Sequence, residues 1–202
     1  GLTGAAPSSS TRGAFGFGAM NSAGQQWAIA EISKGPNSVS DTWRVQRSDR
    51  SFLSMIYGTG AFASEASFVS MDANGFTQNF RTVSGNQGQV VTLALRGINN
   101  RLGSFTSTSA TGNQVVTGLG FQPEALMIAS TGMSVSTTAT SQGRIHVGAS
   151  DGTNQGSAWM EDEDNQEYSD VRALDKNDKI ISRTTASDTI SGQATLSSFN
   201  ND

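Results

Sequence analysis

Gly13-Ala14-Phe15-Gly16-Phe17-Gly18-Ala19 and Gly143-Arg144-Ile145-His146-Val147-Gly148-Ala149 carry one pattern at two places in the chain. Apolar residues alternate with glycine or polar residues in both, the period of a strand with one face in a core. Each block runs through a polar turn, Asn21-Ser22-Ala23-Gly24 or Asp151-Gly152-Thr153-Asn154, toward a tryptophan, Trp27 or Trp159. Farther on, Ala66-Ser67-Phe68-Val69-Ser70-Met71 matches Ala194-Thr195-Leu196-Ser197-Ser198-Phe199. The separation stays between about 126 and 132 residues, so the chain reads as a tandem duplication of one β unit. Alternating runs recur elsewhere, as in Phe76 and Phe80 around Gln78 and in Leu93 and Leu95, with Gly, Asn and Asp clusters between them. The fold class expected is therefore all-β: antiparallel β-sandwich or jelly-roll-like units, tandemly duplicated. Residues 164–181 are the one stretch with a competing helical reading.

Composition agrees with strands and turns. The 202 residues include 23 glycines, with only 35% hydrophobic and 15% charged residues, both low for a globular chain. A net charge of -4 argues against nucleic acid as a partner, because phosphate binding needs clustered Lys and Arg. No run approaches 18 apolar residues, so membrane insertion is not expected. Cysteine is absent and His146 is the single histidine, which removes disulfides, thiolate sites and ordinary zinc sites. No cofactor is implied.

The two copies are incomplete in complementary ways. Residues 1–98 form a first unit that lacks its opening strand, and residues 99–202 a second that lacks its closing hairpin; the two are also readable as one intertwined domain. The first unit continues through Gly75-Phe76-Thr77-Gln78-Asn79-Phe80 into a strand over residues 89–97, which the second copy lacks. The second is preceded by a strand over residues 118–129 with no counterpart in the first. Either the repeat continues in a longer array or a neighbouring chain supplies the missing strands, since an open sheet edge is an aggregation hazard.

The string Thr111-Gly112-Asn113-Gln114-Val115-Val116-Thr117-Gly118-Leu119-Gly120-Phe121-Gln122-Pro123-Glu124-Ala125-Leu126 resembles a turn-and-strand segment of structural proteins of tailed bacteriophages. The segments Asn74-Gly75-Phe76-Thr77-Gln78-Asn79-Phe80 and Leu93-Ala94-Leu95-Arg96-Gly97 are similar to the elements that close such a unit. This resemblance spans about 120 residues and implies a virion component, of tail, fibre or head-decoration type, assembled in the host cytoplasm. It implies no catalytic residues. The same motif has a purely structural account, in which Gly118 and Gly120 bend the chain, Phe121 plugs the core and Pro123 sets φ before a buried strand.

Enzyme signatures are missing: there is no G-x-S-x-G, P-loop or H-E-x-x-H, and the G-x-G pairs lack a third glycine. His146 sits between two apolar strand positions and is expected to point away from the core, into solvent. The run Glu161-Asp162-Glu163-Asp164, followed by Glu167 and Asp170, reads first as a solvated loop. Its second reading is a Ca²⁺ site from Asp162, Asp164, Glu167 and Asp170, since Ca²⁺ takes six to eight oxygens, and its third is a carboxylate pair for glycoside hydrolysis. Trp27 and Trp159 are read as equivalent packing residues. Trp43 falls opposite Ser169 in the repeat, so the scaffold does not demand it; with Arg44 and Arg47 it is a candidate for an interface or for stacking on a sugar.

Two functions follow as expectations. The first is a non-enzymatic structural component of a virion whose partners are other copies of itself and other virion proteins. The alternative is an extracellular lectin-like module that binds a glycan, for example on a host surface, through Trp43 and the acidic run.

Overall fold

A computed structural model describes residues 12–34, 39–84, 90–167, 171–184 and 189–200, and no helix occurs among them. The first half opens with β1 (Arg12–Met20), β2 (Gln26–Lys34) and β3 (Asp41–Arg47), each antiparallel to the next. Then β4 (Phe52–Met55), β5 (Phe62–Asp72) and β6 (Gly75–Val83) form a second antiparallel sheet. The second half contains β7 (Leu126–Ser130), β8 (Thr140–Ser141), β9 (Gly143–Ser150), β10 (Gln155–Asp162) and β11 (Val171–Lys176), followed by the hairpin of β12 (Ile181–Thr184) and β13 (Ile190–Ala194). The sheets run β1-β2-β3-β8, β4-β5-β6, β11-β10-β9-β7 and β12-β13. The expected all-β class is what the chain adopts, and the described part of 164–181 is turn and strand.

In each half a three-stranded meander packs on a following hairpin. Ala28, Ala30 and Ile32 of β2 and Val45 of β3 bury against Leu53 and Met55 of β4, with Trp43, Tyr57 and Phe62 around them. The contact is close because β1 presents glycine to the hairpin: a Cβ on Gly18 would overlap the Ser51 carbonyl oxygen, and one on Gly148 of β9 would overlap that of Ile180. The glycine face, and not the Phe15/Phe17/Ala19 face, therefore looks into the sandwich, and Phe15 is 42% exposed.

Two further contacts recur between the halves. The Ser51 N–H donates to Ala66 O (2.9 Å) as the Ile180 N–H does to Ala194 O (3.0 Å). The Gln26 side-chain oxygen accepts from the Phe68 N–H, and that of Gln155 from the Leu196 N–H, both at 2.8 Å. Register then fixes which residues correspond. Gly18, Ala28 and Arg47 stand in one row across the first sheet, and Gly148, Ser157 and Lys176 in the matching row of the second. Trp159 accordingly lies in the row of Ala30, and Trp27 in that of Gly156, so the two tryptophans are not equivalent. Trp43 corresponds to Arg172 rather than to Ser169, which lies outside the described residues.

Two expected strands differ as well. The segment 118–129 is irregular up to Ala125, with Gly118 and Gly120 at φ +83° and +78°, and only Leu126–Ser130 is strand. Residues 90–96 join no strand at all, although the alternation is there: Val91 is 98% and Leu93 83% exposed.

Candidate functional site

The halves share a scaffold but fill it differently. The first sheet's row Ala14–Ile32–Trp43 is apolar, and Ile32 and Trp43 belong to the core. Its counterpart is Arg144–Glu161–Arg172. Arg144 forms an ion pair with the fully buried Glu161, and Arg172 Nη1 one with Glu163 at 3.0 Å. Next to it, the row Gly16–Ala30–Val45 is replaced by His146–Trp159–Leu174. The His146 and Trp159 rings lie 6.5 Å apart at 46°.

This charged layer lies at the junction of the halves. From β8, which pairs with β3 through Trp43–Ser141 and Arg44–Thr140, the chain turns at Gln142 into β9. Thr42 is fully buried there: its Oγ1 accepts from the Gly143 N–H (3.0 Å) and donates to Asp162 O (3.2 Å). The Thr42 N–H donates to Asp164 Oδ1 (2.9 Å), and Ser33 Oγ donates to the Asp162 carboxylate. Ser40 adds backbone bonds to Asn165 and Gln166 (2.9 and 2.8 Å) and a side-chain bond to Glu163 O (2.6 Å). On the other flank, Gln46 accepts from the Thr131 N–H through its side chain and from the Ser136 N–H through its carbonyl.

Burial dominates the electrostatics. Glu31 is 2% exposed and its carboxyl is pushed up to about 7, by loss of water first and by Asp162 second. Its Oε1 has no hydrogen-bond partner and lies where a Cβ on Gly143 would collide with it. Arg44, in the same cross-strand row, is held below its usual range by burial and by Arg144, against the pull of Glu161. His146 is 4% exposed and lowered to about 4, by burial and then by Arg183.

The expectation that His146 is a solvent-facing strand residue is thus overturned. It occupies the row of Gly16, on the face that packs against the hairpin. The solvated acidic loop is overturned too, since Glu161 and Asp162 are buried. Asp162 and Asp164 are engaged with Ser33 and Thr42, Glu167 is exposed, and Asp170 lies outside the described residues. Among the described residues no three carboxylate or imidazole groups are grouped to hold a metal.

Trp43, Arg44 and Arg47 do not form one surface. Trp43 packs on the core with Gly60 against its indole, and its Nε1–H donates to Asp41 Oδ1 (2.6 Å). Arg44 and Arg47 are buried; Arg47 pairs with Asp49 (2.7 Å) and Glu65 (3.2 Å), while Arg44 points into the junction. The outer edge of Trp43 lines a shallow depression with Thr59, Phe62, Thr137 and Thr138. Sequence reasoning overlooked Glu31, Thr42 and Arg144. The available signal was for Glu31 alone, a carboxylate inside the apolar run Ala28-Ile29-Ala30-Glu31-Ile32, which marks a strand buried on both faces.

Chemically, the junction is a lock. Its charges are paired or withdrawn from water. No protein-family model, curated protein or solved structure matches the chain.

Proposed function

We propose that the chain is a non-enzymatic structural component of a tailed-bacteriophage virion, of tail, fibre or head-decoration type, assembling in many copies through β edges. The two halves are, in this reading, copies of one unit. The observation that carries it is the stretch 90–125, which crosses the surface without regular structure and leaves Val91, Leu93, Leu95 and Val115 in water. Large apolar side chains this exposed along one stretch support a role in contacting a partner. The resemblance of residues 111–126 and of the closing elements to phage structural proteins supplies the kind of particle. Sedimentation velocity and negative-stain microscopy of the purified chain test it. Ordered oligomers at micromolar concentration are the expected result; a folded chain that stays monomeric overturns the reading.

A lectin-like role has one observation in its favour, the threonine-lined depression at Trp43. Glycan-induced quenching of tryptophan fluorescence that is weakened in Trp43→Phe would establish it, and a flat response across a glycan array would remove it.

A further inference from the structure

The outer edge of β1 and the segment around Leu93 fit each other. Natural sheets guard their outer strands with charge, bulges, proline or shortness, and most outer strands here obey. On β11 the guards are Arg172, Asp175 and Lys176; on β6 they are Arg81 and two register shifts against β5; β12–β13 is short and shifted. By contrast, β1 pairs with β2 over nine residues without a shift and has no charge between Gly13 and Met20. Among the described residues nothing pairs with its other side. The equivalent edge in the second half is covered: β7 lies antiparallel on β9, from Leu126 opposite Ser150 to Ser130 opposite His146. The scaffold therefore accepts an added strand at this place.

Residues 90–95, Val-Val-Thr-Leu-Ala-Leu, are an uncharged, strand-forming sequence held in water. Extended, they would put Val91, Leu93 and Leu95 on one face and Val90, Thr92 and Ala94 on the other. The geometry points to strand addition between copies: residues 90–95 of one copy pair antiparallel with the outer edge of β1 in a second, occupying the place that β7 takes on β9. Val91, Leu93 and Leu95 then lie beside Phe15 and Phe17, on the face away from the packed glycines, and the backbone groups of β1 gain partners.

This inference rests on the reading of the chain as an assembling subunit, and the test separates the two. The chain contains no cysteine, so disulfide trapping starts from a clean background. Phe15→Cys is mixed with Val91→Cys, Leu93→Cys or Leu95→Cys, oxidised mildly and run on a non-reducing gel. A mixed disulfide dimer with at least one of the three, absent when Phe15→Cys is mixed with Val115→Cys, is the expected result. Independently, Leu93→Lys, a change at a solvent-exposed position, should raise the apparent dissociation constant of the assembly by at least about tenfold. Oligomers without a cross-link and without an effect of Leu93→Lys would overturn the strand addition but leave the assembly reading intact. A disulfide formed within one chain of the double variant Phe15→Cys/Leu93→Cys would show that the segment covers its own edge, which overturns the exchange between copies. A strictly monomeric chain would overturn both.

Discussion

Glu31 of β2 and Asp162 of β10 are coupled across the junction of the two halves: burial first, and the Asp162 carboxylate second, push the Glu31 carboxyl up. Its pKa of about 7, against an ordinary 4.5, means that the folded chain binds more protons than the unfolded chain between those values. Stability contributed by this group is full below about pH 4.5 and falls as pH rises through 7, by about 3 kcal/mol in all. Glu31→Gln should abolish that fall and make the protein more stable than the parent at pH 8. Urea denaturation of both proteins at pH 5 and pH 8 checks it.

His146 works in the opposite sense. Its pKa of about 4 against 6.5 makes the unfolded chain bind more protons in that window, so stability rises with pH from 4 to 6.5, again by about 3 kcal/mol. The two slopes oppose each other between pH 4.5 and 6.5. His146→Leu should unmask the Glu31 slope and Glu31→Gln the histidine slope, each steeper than the parent's when unfolding free energy is measured in half-unit pH steps.

Close approach of β9 to the hairpin predicts a sharp response to one methyl group. Gly148→Ala places a Cβ on the Ile180 carbonyl oxygen and should cost about 2–3 kcal/mol, with Gly18→Ala comparable. Gly13→Ala, where a Cβ meets nothing within 4 Å, should stay within about 0.5 kcal/mol of the parent. Thermal melts of the three variants measure this.

The charged layer predicts a loss on neutralisation. Glu161→Gln removes the carboxylate paired with Arg144 and the negative charge that favours the buried Arg44, and should destabilise the chain by about 3 kcal/mol. If Glu161→Gln melts like the parent, the layer contributes no specific stability.

Much of the scaffold was legible in the sequence because turn residues and alternation act locally. Asn21–Gly24 and Asp151–Asn154 mark the hairpins, and the two Gly-rich blocks mark β1 and β9. Register was not legible. One hairpin loop is a residue longer than the other, between Met20 and Gln26 and between Ser150 and Gln155, which the sequence does not show; matching Trp27 to Trp159 puts the comparison three positions out of register and hides the match of Gln26 with Gln155. Nor was the packed face, because apolar Phe15 and Phe17 draw attention from the glycines that permit the contact; His146 was turned outward for the same reason. The acidic run was misread because burial of Glu161 and Asp162 depends on Ser33, Thr42 and Arg144, which are distant in sequence. Residues 90–96 do alternate like a strand, but a strand exists only when an edge receives it.

The bonds that Ser40 and Thr42 make to residues 162–166 have a consequence for what the covalent chain must do. They tie the end of β10 to the start of β3 without help from the long exposed crossing at 90–125. A protease that cuts the crossing should therefore yield two fragments on a denaturing gel that still migrate as one body on a native column. The same property would allow the halves to be expressed separately and to find each other, a two-piece protein whose reassembly is read by the junction alone.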